Sequence, residues 1–260
     1  ICARRAAGYE RAMSDWFSQD WVIVFLYALL TAVATGLGAL PFVFVRKVRD
    51  GFVGHGNAVA SGLMLAASFN LIVEGVQMGL WRTLGGALLG LAAIVVSRAL
   101  LKEKEVEPGE MAKADFLKAL LIVGVMTAHS FAEGMGVGVA FGSSEDFGTF
   151  ISAAIAVHNI PEGLAISLVL VPRGVSVLKA AGWSVFSSLP QPLVAVPAFL
   201  FVLYFKPFLP LGLGFAAGAM LWMVYSELMP ESAEKVSPRQ GAVSFVLAIV
   251  AMMAFQSLLQ

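Results

Sequence analysis

Two histidine–glutamate pairs carry most of the chemistry this sequence offers. His129-Ser130-Phe131-Ala132-Glu133-Gly134 and His158-Asn159-Ile160-Pro161-Glu162-Gly163 repeat one pattern at an offset of 29 residues. In each copy the His and Glu stand four apart, so on a helix both project from one face. Neutral imidazole and carboxylate together suit zinc and similar first-row divalent ions. Two antiparallel helices of this kind would offer four ligands to one ion: His129, Glu133, His158 and Glu162. Pro161 has no N–H to give the helix, which frees the carbonyl near Val157 and predicts a kink beside His158.

The surroundings sharpen that reading. Each pair lies near the middle of an apolar run long enough to cross a bilayer, about 20 residues. A carboxylate at that depth costs on the order of 2.5–3.5 kcal/mol by insertion scales. Between Ala119 and Pro172 there is no Lys or Arg, so a bound metal ion, a bound proton or buried water must offset the charge. The alternative is that the pairs only fasten helices through hydrogen bonds. Two pairs in matching positions favour function, because ionisable residues inside a membrane are functional by default.

The elements that must position these residues are membrane helices. The chain is 59% hydrophobic and 13% charged, against about 25% charged in an average soluble domain. The fold class is therefore an all-α integral membrane protein, and its 26 glycines allow close helix packing in lipid. Zero net charge gives no reason to expect nucleic acid as a partner. The single Cys2 excludes an internal disulfide and a CxxC metal site. The chain opens on Ile1 rather than Met, so a processed or truncated N-terminus is expected, with 1–20 as a non-cytosolic tail.

Eight spans are expected, at about 21–45, 57–78, 83–101, 117–141, 149–171, 179–203, 207–228 and 241–259. The longest break, 102–115, alternates Lys and Glu and reads as a cytosolic, solvated linker. With eight spans, one side carries Arg4, Arg5, Arg11, Arg82 and Lys206, and the other carries the remaining 12 of the 17 basic residues. The basic side is cytosolic by the positive-inside rule, which puts both termini on the opposite side. Spans four and five then run antiparallel. A weaker echo links Ser61-Gly62-Leu63-Met64-Leu65 in span two to Ala217-Gly218-Ala219-Met220-Leu221 in span seven, and inverted repeats with a polar site at their interface are a recurring transporter plan.

Other polar residues admit two readings each. Met64, at mid-span, can offer a thioether or simply pack the core. Gln191, between two prolines in span six, can contact an ion or satisfy backbone groups that Pro190 and Pro192 leave free. Glu74, Glu227 and Glu231 fall near span ends, and Glu145-Asp146 reads as solvated. His55 reads as an interfacial loop histidine.

These residues resemble the ZIP family of divalent-metal transporters, in particular its GufA-like branch. The likeness covers nearly all of 21–260 and rests on His158–Gly163, on 62–68 in span two and on 214–220 in span seven. It implies a bundle with inverted repeats and a metal path among spans two, four, five and seven. It also implies a primary site of His129, Glu133, His158 and Glu162 with Met64 nearby. An adjacent second position would use Ser130, Asn159 and Gln191, shared with Glu133 and Glu162. Span four departs from the family in having Ser after the His and Ala before the Glu, and Gln191 stands where relatives with two metals have a carboxylate.

The expected function is a secondary transporter moving zinc, or Fe2+, Mn2+ or Cd2+, toward the cytosol; no enzymatic activity and no catalytic cofactor are expected. Divalent metal ions and the lipid bilayer are the expected partners, and a homodimer is admitted. The rival from another class is an intramembrane zinc-dependent hydrolase, which would want H-E-x-x-H or a third mid-membrane histidine. A metal-stapled structural or receptor bundle is the third reading. The charge asymmetry yields a topological expectation. A cysteine introduced within 102–115 should be shielded from impermeant reagents in intact cells or sealed organelles, while one at 143–147 should label; the opposite pattern would reverse the orientation.

Overall fold

The computed structural model describes residues 21–45, 48–102, 111–142 and 144–259. The expected N-terminal tail and most of the 102–115 linker lie outside those residues. The described chain is helical, with no strand. Helix α1 runs Trp21–Val43, and α2 runs Asp50–Lys102. Helix α3 is Met111–Phe141 and α4 is Glu145–Leu170. Helices α5, Val177–Ser188, and α6, Pro190–Leu200, meet end to end at Leu189. Short helical turns over 202–208 lead to α7, Leu209–Met223. A π-helical turn at Val224–Leu228 joins α7 to α8, Met229–Lys235, and α9 is Pro238–Leu259.

Seven of these segments are long and apolar enough to cross a membrane. The difference from eight expected spans arises in α2, where spans two and three form one apolar segment of 47 residues, Asp50–Val96. Straight, such a helix would extend about 70 Å, more than twice a hydrocarbon core of about 30 Å. It is not straight. Gly79 adopts an extended, non-helical conformation (φ 172°, ψ 96°). Residues eight apart on a straight helix are about 12 Å apart, yet a Cβ on Gly75 would stand 2.8 Å from the Thr83 side chain. The chain therefore turns sharply at Gly79. The expected kink at Pro161 takes a milder form, since α4 remains helical through it.

The surface inverts the soluble pattern. Leu88, Leu193, Leu203 and Leu258 are exposed, while Thr31, His129, Asn159, Glu162 and Gln191 are buried. A bundle whose outer face is apolar and whose polar groups lie inside is matched to lipid. Its two ends are tied by polar contacts. Lys235 reaches Asp50 at 3.2 Å, and Ser232 Oγ donates to the Gly54 carbonyl at 2.8 Å. At the other end Arg82 donates to the Pro207 carbonyl at 3.0 Å.

Glycines set how closely the helices approach. Gly86 and Gly90 on α2 face Gly214 and Gly218 on α7 as two small-xxx-small stripes, and a Cβ on any of the four would collide with backbone of the facing helix. Gly62, on the first half of α2, meets the Phe245 carbonyl of α9 in the same manner. Gly218→Leu should therefore force α2 and α7 apart, at a cost of about 1–3 kcal/mol or more. Gly182, exposed and with open space where its Cβ would stand, should accept Ala with little change. Denaturation midpoints of the two variants in detergent check the contrast.

Candidate metal centre

Helices α3 and α4 bring the first pair to one carboxylate of the second. His129 Nε2 stands 3.5 Å from Glu133 Oε1 on its own helix and 2.9 Å from Glu162 Oε1 across the interface. One ligand atom from each of His129, Glu133 and Glu162 lies within 4.8 Å of the others. Glu162 is fully buried, at 0% exposure, and Glu133 is 4% exposed. The short contact from His129 to Glu162 is not aligned as a hydrogen bond, and neither oxygen of Glu162 has a hydrogen-bond partner. A buried carboxylate without donors is strongly unfavourable unless a cation or proton joins it. With metal–ligand distances near 2.0–2.2 Å, only a small closure would let these three side chains share one ion.

The expected ligands do not all converge. His158, also buried, has its Nε2 3.1 Å from the Gln256 side-chain amide on α9. It lines a cleft together with Glu133 instead of joining the three-residue cluster. Met64 is fully buried in the apolar core of α2. The Ser130 hydroxyl is buried with no hydrogen-bond partner.

Gln191 and Asn159 form a chain that ends on Glu133. Gln191 Nε2 donates to Glu133 Oε2 at 2.5 Å. Its Oε1 accepts from Asn159 Nδ2 at 3.2 Å and from Thr31 Oγ1 at 2.5 Å. Asn159 Nδ2 also reaches the Thr31 carbonyl at 2.8 Å, while its Oδ1 has no partner. Thr31 is a residue that the sequence reading passed over. Its signal was a pair of threonines one turn apart, Thr31 and Thr35, in the apolar run of α1.

The glycine after each glutamate makes this meeting possible. A Cβ on Gly134 would strike the backbone of Gln191 on α6, and one on Gly163 would strike the Thr35 carbonyl on α1. Gly38 in turn meets the backbone of Ile160, Gly163 and Leu164. Each Glu-Gly step thus lets a neighbouring helix approach directly beside the carboxylate. The remaining histidine lies apart: His55 Nδ1 is 2.8 Å from Ser244 Oγ.

Charge would limit how many ions such a centre could hold tightly. Glu133 and Glu162 can neutralise one divalent ion, whereas Thr31, Asn159 and Gln191 add dipoles only. One tightly held ion per chain is expected. Gln191→Glu would set a second carboxylate against Glu133 and should promote a second tight ion. Metal stoichiometry on purified wild type and variant checks this, and two equally tight ions in the wild type would overturn it.

The model of the ZIP zinc transporter family matches residues 98–255. The chain is 32% identical to the zinc transporter GufA of Myxococcus xanthus over 86% of this chain and 95% of that protein. It is 30% identical to the zinc transporter ZupT of Corynebacterium glutamicum over 92% of this chain and 99% of that protein. It is 47% identical over 91% of its length to the Arabidopsis thaliana protein named "Putative zinc transporter At3g08650", of which it spans 39%.

Proposed function

The chain belongs to the ZIP zinc transporter family, and from that premise we propose that it carries zinc or a related divalent ion through the bilayer toward the cytosol. The observation that carries this reading is the buried convergence of His129, Glu133 and Glu162. It occurs in a stretch, 119–172, that has no Lys or Arg to balance the carboxylates. The cargo supplies the missing positive charge while it is bound, and the ligands keep their protein contacts when it leaves. His158 completes the ligand set by turning from Gln256 toward the cluster.

Eight crossings follow if the turn at Gly79 is a hairpin within α2. The inverted repeat draws support from paired contacts. Gly62 against Phe245 and Gly218 against Ala87 are equivalent in the echoed segments, as are Gly134 against α6 and Gly163 against α1. In this arrangement both termini are non-cytosolic and the basic linker is cytosolic. A hydrolase finds no support: the third histidine pairs with Ser244, and the relatives are named as transporters.

Zinc uptake into vesicles reconstituted with the purified chain is the direct test. Ala in place of Glu133, His158 or Glu162 should lower flux by at least about tenfold, the smaller loss typical of removing even an indirect metal partner. The variants should still insert, since removing a buried carboxylate also removes an insertion cost. Wild-type flux in His158→Ala and Glu162→Ala at normal protein levels would defeat the assignment.

A further inference from the structure

A second group of metal-competent side chains lies between the histidine–glutamate cluster and one end of the bundle. Two adjoining clefts, the larger lined by 16 residues and the smaller by 7, share Asn70, Glu74, Ala154 and His158. The larger reaches Glu133 inside and Met78, Phe147 and Leu209 toward the end marked by the Arg82–Pro207 contact. The smaller adds Gln256 and two phenylalanines, Phe150 and Phe255.

The chemistry within the smaller cleft comes in two pairs. Asn70 Nδ2 donates to Glu74 Oε1 at 2.9 Å, which leaves Asn70 Oδ1 and Glu74 Oε2 for another partner. Opposite them, the Gln256 amide engages His158 Nε2 at 3.1 Å and so occupies an atom with which the imidazole would bind a metal. Among the described residues, no Lys or Arg lines either cleft. Glu74 is the only carboxylate among the described residues lining the smaller one, and it half-neutralises a divalent ion, which makes for weaker binding than at a cluster holding two carboxylates. Weak binding suits a station from which the ion must leave again.

We propose that Asn70, Glu74, His158 and Gln256 form a capture site for a divalent cation, ahead of the His129–Glu133–Glu162 cluster. As part of a transport path this rests on the transporter reading above; as a binding site it stands on the cleft itself. His158 belongs to both positions. The incoming ion displaces the Gln256 amide from its ring nitrogen, and the freed imidazole accompanies the ion to Glu133, with which it shares the larger cleft. Charge asymmetry puts the mouth on the non-cytosolic side, because the connections at 79–82 and 206–208 are the basic-poor ones.

Equilibrium binding of zinc to the purified full chain tests the site without requiring flux. The wild type should show one tight class of ion and one weaker class, the weaker held by Asn70, Glu74 and Gln256 once His158 has turned to the tight one. Glu74→Gln should lose the weaker class and keep the tight one, while Glu74→Asp keeps both. In vesicles, Glu74→Gln should raise the half-saturating zinc concentration about tenfold, equivalent to about 1.4 kcal/mol, with the maximal rate little changed. A wild type with no weaker class, or a weaker class that survives in Glu74→Gln, overturns the proposal. Loss of both classes in Glu74→Gln marks a structural role and overturns it equally. Vesicles in which the wild type carries no zinc count against the transporter reading, while the binding data still decide the capture site.

Discussion

Two carboxylates buried side by side, in a stretch of chain, 119–172, without Lys or Arg, are the constraint on which the rest of this structure depends. Glu133 and Glu162 are held in the same pocket as His129, in a medium where each uncompensated charge costs several kcal/mol. Lysine or arginine would neutralise them permanently and leave no role for an ion. Their absence across 119–172 keeps the charge available to a partner that comes and goes. The neutral groups around the pair fit the same requirement. Gln191, Asn159 and Thr31 orient Glu133 by hydrogen bonds and add no charge that would deepen the well.

Holding such a pocket together in lipid calls for packing and not for hydrophobic burial, because lipid tails are as apolar as the core. The glycines answer that need. Gly134 and Gly163 follow the two glutamates directly, so close backbone approaches of α6 and α1 fall beside the carboxylates themselves. The same helix positions therefore set both the ligand and the wall against which it rests. Farther out, the glycine stripes of α2 and α7 hold the frame.

The cleft from Met78 to Glu133 runs from this pocket toward one end of the bundle, and its largely apolar lining carries polar side chains at Asn70, Glu74, Glu133 and His158. His158 is the residue both regions share. Its engagement with Gln256 keeps a buried imidazole satisfied while it waits, which a buried polar group requires. In the proposed path, exchanging this partner for the cluster is a modest device that would convert a static ligand set into a route.

Much of this was legible in the sequence for reasons of local periodicity. The spacing of four in each His–Glu pair places both on one helix face whatever the tertiary fold, and the length of the apolar runs demands helices in lipid. The absence of basic residues near the pairs needed only inspection. Span ends were less certain: α2 begins at Asp50, seven residues before the run expected from 57, because helical hydrogen bonding continues beyond the apolar stretch. What only the tertiary structure decided are meetings between residues far apart in the chain. That Thr31 and Gln191, 160 positions apart, share a hydrogen bond depends on the angle and depth at which α1 and α6 pack. That His158 faces Gln256 and not His129 depends on a side-chain orientation that helical spacing leaves open. Periodicity determines the face on which a residue lies, and packing determines what that face meets.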